Sequence, residues 1–285
     1  MNESLLLQLQ AAEEELTPQF KALRGAMGAL KKAIKLAGEE TLDPLAMQKA
    51  LVKLEEAAEA VDNDQLQAAT EAFAAQTQEG LDALAFEFAR DLKHVFEERG
   101  QTVEGRPPTL AVGLFTLQID AGARKAQWLY GHEALTKPMP LSIHAITKAY
   151  DRAQKSIGKR EIKPDEFLGE LYKAWRDELA KRKRPPSGNR INVVKIHAQV
   201  TLNRQNKRFW NSPARSTFKD YPRELFVRDL VLIQETPTVN IDGETYRLRL
   251  AGATKNQTEN AMRSIWLPQT ALDGDYYADV TFEEA

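Results

Sequence analysis

A change of period constrains this chain more than any other feature. Residues 2–100 are dominated by Ala, Leu, Glu, Gln and Lys, side chains that lose little rotamer freedom in a helix. Late in that stretch Leu66, Ala69, Phe73, Leu81, Leu84, Phe88, Leu92 and Phe96 recur close to the helical period. At 105–109 the sequence GRPPT ends the helical character, and TLAVGLFTLQI follows as a near-continuous apolar run of strand length. The expectation is an α+β fold: an acidic all-helical bundle over 1–104, then a basic α+β domain over 105–285 with antiparallel strands and two central helices. A length of 285 residues is enough for two such cores.

Punctuation divides the first part into four expected helices. Thr17 before Pro18 reads as an N-cap followed by a first-turn proline, and Asp43 before Pro44 repeats the signal. Gly38 reads as a stop, and VDND at 61–64 as a break capped by Asp62 or Asn63. Strict heptads are not kept over three or four repeats and Gly80 falls inside the longest helix, which favours a bundle over an extended coil. Alanines at 58, 60, 68, 69, 72, 74 and 75 permit close helix approach and suit a protein partner or a homo-oligomer.

In the second part, the apolar run and AQWLYG are expected to form a buried hairpin around DAGARK. Ser142 is placed to cap a helix that ends at Gly158, and Pro164, Asp165 and Glu166 open another, with Phe167, Leu168, Leu171, Tyr172, Trp175 and Leu179 on one face. INVVKIHAQVTLN alternates apolar and polar residues and reads as a strand, followed by a long basic return, RQNKRFWNSPARSTFKDYPR. YPRELFVRDLVLIQ fits helix or strand. TVNIDGETYRLRL reads as a hairpin turning at Asp242 and Gly243, and SIWLP and YYADVTF as further strands.

A net charge of −2 conceals a strong asymmetry. Residues 1–105 hold 10 Lys and Arg against 20 Asp and Glu, whereas residues 148–229 hold 21 against 10. Within the basic segment lies LAKRKRPPSGNR at 179–190. Cations in a last helical turn are favoured by the dipole and the free carbonyls, but one or two suffice, and four in a row repel unless an anion is near. The candidate nucleic-acid-binding set is therefore Lys181, Arg182, Lys183, Arg184, Arg190, Lys195, Arg204, Lys207 and Arg208, with Phe209 and Trp210 as stacking faces. Arg215 and Lys219 extend it.

Two helices, a strand and a basic return form a layout similar to that of winged-helix readers. The acidic residues Asp165, Glu166, Glu170, Asp177 and Glu178 on the helix before the basic run argue for backbone contact rather than base readout.

Catalytic signatures are sparse. Four histidines, 94, 132, 144 and 197, include no helical metal pair, and neither a P-loop, a GxGxxG nor a GxSxG is present. Asp120, His132 and Glu133 form the best acid cluster, and would carry the alternative of a metal-dependent nuclease. No metal or other cofactor is otherwise expected. Zero Cys excludes disulfides and thiolate ligands and suits a reducing compartment. NESLLLQLQAAEEE after Met1 lacks the basic and apolar regions of a signal peptide, and no window approaches the roughly 18 apolar residues of a membrane span.

The expected function is that of a cytoplasmic, non-enzymatic nucleic-acid-binding accessory subunit, with DNA ahead of RNA. Its helical part would join a protein partner, as in a phage-defence or condensin-like complex. The other alternative is a purely structural subunit whose cations meet an acidic partner or the chain's own first domain.

Overall fold

The first helix, α1 (Glu3–Ala37), runs straight through the Thr17–Pro18 pair. Thr17 does not cap. Its hydroxyl donates back to the Glu13 carbonyl at 2.7 Å, so the expected break at 17–18 is absent and three helices replace four. Proline removes one ladder bond, and the strong helix formers on both sides resume the ladder at once. A computed structural model of the chain describes residues 3–40, 42–184 and 186–285. Pro185, in the expected stop after the basic run, and Met1 and Asn2, at the start of the segment read for a signal peptide, lie outside the described residues.

By their internal contacts the residues form two units: Met1–Val95 with Arg106–Pro108 and Ile119–Lys125, and Phe96–Gly105 with Thr109–Gln118 and Ala126–Ala285. In the first, the helix stop at Gly38 holds, with its N–H donating to Ile34 O at 3.0 Å. Asp43 caps α2 (Pro44–Ala60), its carboxylate accepting from the N–H groups of Leu45 and Ala46. Asn63, rather than Asp62, caps α3 (Asp64–Glu98), accepting from Leu66 N–H at 2.9 Å. Gly80 does not interrupt this helix. A Cβ there would come 2.6 Å from Pro44 Cγ, so the glycine admits the start of α2. Ala26, Ala33, Met47, Ala50, Leu54, Ala57, Leu66 and Phe73 form the core.

One sheet carries β1 (Val103–Arg106), β2 (Thr109–Val112), β3 (Phe115–Asp120), β4 (Lys125–Tyr130), β5 (Glu133–Ala134) and β6 (Met139–Pro140). Its order is β1-β2-β3-β4-β5, with β6 also on β4. The apolar run at 109–119 is thus two short antiparallel strands, turning at Gly113, whose φ of 60° places it in the left-handed region. The expected β3–β4 pairing around DAGARK is present. Phe115 and Trp128 from this sheet meet Phe96 or Tyr150 edge to face or tilted, and Tyr130 meets Phe115 edge to face.

Ser142 stands at the N-cap of α4 (Ile143–Ala153) without a side-chain bond, and a π turn at Gln154–Gly158 ends the helix. Pro164 opens α5 (Pro164–Ala180) as expected. After it, only β7 (Ile191–Asn192) of the expected strand INVVKIHAQVTLN is extended; Val193–Asn203 form α6. Asn192 accepts from Val194 N–H at 3.1 Å and starts the helix. Val193, Ile196 and Val200 are buried at spacings of three and four, and Leu202, which alternation would bury, is exposed. With that strand gone, the layout behind the winged-helix likeness is not formed.

The basic return contains α7 (Lys207–Asn211), and YPRELFVRDLVLIQ resolves as α8 (Arg223–Leu232). The hairpin of β8 (Thr238–Ile241) and β9 (Glu244–Gly252) turns at Asp242 and Gly243, with φ of 54° and 92°. After α9 (Lys255–Thr258), β10 (Ile265–Pro268) and β11 (Gly274–Glu284) complete a second antiparallel sheet, β10-β11-β9-β8, with β7 on β11. More than two helices therefore accompany the sheets, within the expected α+β class. Among the described residues no helix is long and apolar enough to cross a membrane.

Candidate nucleic-acid interface

The α5–α6 connection is held where it enters α6. The Trp175 indole N–H, which needs an acceptor once its ring is buried, donates to the Asn189 carbonyl at 2.8 Å. Thr281 of β11 donates to the Gly188 carbonyl at 3.2 Å. Gly188 and Asn189 turn the chain with φ of 64° and 52°, and Ile191 and Asn192 then pair with Val280 and Asp279. The Asn192 side-chain amide also donates to the carbonyls of Arg263 and Ala278. These bonds fix the backbone at 188–192, from which Arg190 projects.

Of the four consecutive cations, Lys181 is used internally. Its ammonium donates to Glu178 at 2.6 Å and to the Gln199 side-chain oxygen of α6 at 2.5 Å. Lys183, Arg184 and Arg190 are exposed and Arg182 is half-buried; none has an ion pair among the described residues. Lys195 is also exposed and unpaired among them, one helical turn before Gln199 on the same face of α6, which aligns it with the loop. Arg182, Lys183, Arg184, Arg190 and Lys195 thus belong to one end of the α5–α6 pair.

The other expected residues belong elsewhere. Arg204 donates to Glu170 at 3.0 and 2.5 Å and lies over the Tyr221 ring, 3.8 Å from its centroid. It is a structural cation. Lys207, Arg208, Phe209 and Trp210 follow the far end of α6, whose 11 residues span roughly 16 Å at about 1.5 Å each. Asn206 caps α7 through Phe209 N–H. Phe209 is held edge-on by Trp210 and Phe218, whereas Lys207, Arg208 and Trp210 stand in solvent. The eleven residues therefore form a cationic cluster at one end of the α5–α6 pair, two internally bonded cations, Lys181 and Arg204, and a separate basic-aromatic turn.

Asp120, His132 and Glu133 have separate engagements. The Asp120 carboxylate accepts from Ala123 N–H at 2.8 Å, closing its turn. It lines a cleft of about 570 Å³ in the first unit with Gln48, Gln78, Asp82 and Arg106. His132 stacks on Trp266 at 4.5 Å and bonds the Tyr276 hydroxyl through Nδ1 at 2.6 Å; burial lowers its pKa. Glu133 is paired with Arg223 at 2.6 Å. Among the described residues no group of three or more His, Asp or Glu is placed to hold a metal ion.

Sequence reasoning misses a buried polar centre. Asp229 is fully buried on α8 and accepts from Arg160 and, at 2.5 Å, from the Tyr221 hydroxyl. Burial, reinforced by the Asp229 carboxylate, pushes the Tyr221 phenol far above its ordinary pKa. Its one signal in the sequence is an aspartate among Phe226, Val227 and Leu230, where a helix face turns inward. Several cations of the basic segment, Arg160, Arg204 and Arg223 among them, are thus consumed by internal carboxylates. Compared with protein-family models, with curated proteins and with solved structures, the chain finds no match in any of the three.

Proposed function

We propose that the second unit holds the phosphate backbone of a nucleic acid, DNA ahead of RNA, at the end of the α5–α6 pair where α5 leads into α6. Arg182, Lys183, Arg184, Arg190 and Lys195 make the contacts, and the chain acts as a non-enzymatic accessory subunit of a larger assembly. The observation that carries this reading is the division of labour among the cations. Carboxylates occupy Lys181, Arg204 and Arg223, while these five have no ion pair among the described residues and gather at one end of the α5–α6 pair, with Arg190 next to the residues that Trp175 and Thr281 hold. Like charges gathered at one end of a helix pair cost stability, and a polyanion relieves that cost while releasing its counterions. Lys207, Arg208 and Trp210 supply a second contact, with the indole available to an unpaired base. Neither group reads base edges, so binding is indifferent to sequence.

Fluorescence anisotropy with labelled single- and double-stranded DNA and RNA across a salt series tests this on the full chain. The variant carrying Lys183→Ala, Arg184→Ala, Arg190→Ala and Lys195→Ala is expected to bind weakly at low salt. Its slope of log affinity against log salt should fall by up to about 3–4, since each lost phosphate contact removes roughly 0.9 on duplex DNA. No binding by the parent at low salt, or an unchanged slope in the variant, overturns the reading.

A further inference from the structure

The helix α1 carries its large apolar side chains on the outside. Over this single 35-residue helix a heptad runs with Leu6, Phe20, Met27 and Ile34 at a and Leu9, Leu16, Leu23 and Leu30 at d. Glu13 is the one charged member of the seam between Leu6 and Ile34. Taking Pro18 for a helix start hides the repeat; in the continuous helix Pro18 falls at f, away from the seam. Leu16 is 59% exposed, Phe20 65% and Ile34 67%, and Leu6, Leu9, Leu23 and Met27 are exposed as well. The face turned to the core instead carries Ala26, Ala29 and Ala33, small enough for α2 to approach, and only towards its C-terminal end do large residues, Leu30 and Leu36, pack against that core. An ordinary surface helix buries its large residues, so this seam is built for another helix.

Charge identifies the occupant. Glu13, Glu14 and Glu15 lie in the first half of α1, where no Lys or Arg precedes Lys21; Lys21, Arg24, Lys31, Lys32 and Lys35 lie in the second half, with no acidic residue among them. Such a helix is complementary to itself reversed. We propose that α1 pairs with α1 of a second copy of this chain in an antiparallel coiled coil whose two-fold axis passes near Pro18. That register sets Phe20 against Leu16 and Met27 against Leu9 of the other copy. It also brings Glu13 beside Arg24 and Glu15 beside Lys21, twice each by symmetry. A parallel pair would set Glu13 against Glu13 and the lysines against one another. The isologous contact closes at two chains. The inference is independent of the nucleic-acid reading.

Sedimentation of the full chain over a concentration series, with circular dichroism of each variant, tests it. The parent is expected to form dimers. Leu16→Glu with Phe20→Glu, both on exposed positions, should raise the dissociation constant more than about tenfold, as loss of central apolar anchors does, with helicity unchanged. Because the chain has no cysteine, orientation is read directly. An oxidised mixture of Leu9→Cys chains and Met27→Cys chains should give the mixed disulfide, and each alone should stay reduced. A parent that remains monomeric, a dimer that survives Leu16→Glu with Phe20→Glu, or Met27→Cys chains that link to one another overturns the proposal.

Discussion

Asp229 shows how one buried carboxylate organises its surroundings. With no solvent exposure, its carboxylate depends on Arg160 and Tyr221 for hydrogen bonds, and removing either donor leaves a buried acceptor without that partner. The same neighbourhood holds His197 in its neutral form. Its Nε2 donates to the Tyr221 carbonyl at 2.7 Å and its ring tilts against Phe226. Burial is the main cause of its lowered pKa, with Arg223 and Arg204 adding to it and the carbonyl opposing. The sign of the linkage follows. Above the ordinary imidazole pKa of about 6.5 both folded and unfolded chains are neutral here, so stability is unaffected. As pH falls below that value the unfolded chain takes a proton that the folded chain refuses, and stability drops until pH passes the folded pKa. His132, lowered by burial as well, acts in the same direction. The urea midpoint is expected to fall between about pH 7 and about pH 5.5, the window below the ordinary imidazole value, and His197→Gln, which keeps a donor for the Tyr221 carbonyl, should flatten part of that fall. An equal slope in the variant would show that burial does not govern this imidazole.

At the scale of elements, the glycines of two helices separate packing from propensity. In a helix interior, alanine is ordinarily better than glycine by about 0.5–1 kcal/mol. Around Gly169 in α5 no atom lies within 4 Å of the place a methyl group would take, so Gly169→Ala should raise stability by about that amount. Gly80 in α3 lies under Pro44, where the same change meets a ring carbon at 2.6 Å, and Gly80→Ala should lower stability by about 1–3 kcal/mol. Thermal or urea unfolding of the two variants checks the opposite signs. Such contacts also mark what the sequence revealed. Caps chosen by local chemistry, Asp43 and the Asp242–Gly243 turn, stand where their residues alone place them. The Thr17–Pro18 break fails because the strong helix formers on both sides carry the helix through, and the strand expected at 191–203 fails because two local templates compete and tertiary burial decides. Val194, Ile196, Ala198 and Val200 suit alternation, but Val193 is buried and Leu202 is not, and only packing against α5 fixes that. The candidate interface is legible as a run of charge, yet which cations remain unpaired depends also on Glu170 and Gln199, partners distant in sequence and across a helix pair.

For the whole molecule, the interleaving of the two units decides where the chain can be cut. A sequence boundary near residue 105 follows the end of helical composition, but the second unit begins with Phe96, the last turn of α3. Phe96 is fully buried and meets Tyr150 at 4.9 Å and Trp128 at 6.1 Å, both edge-on. Val103 of β1 is buried too. A fragment 105–285 therefore lacks part of its own core, whereas 96–285 retains it. Phe96→Ala in the full chain should cost about 3–5 kcal/mol, the usual range for removing a buried ring. Near-ultraviolet circular dichroism is the measurement that separates the fragments, because Trp128 and Tyr150 report their fixed packing: 96–285 should keep the signal and 105–285 lose it. If 105–285 keeps the signal of the full chain, Phe96 is not required by that aromatic core, and the second unit starts where the composition changes rather than where the packing does.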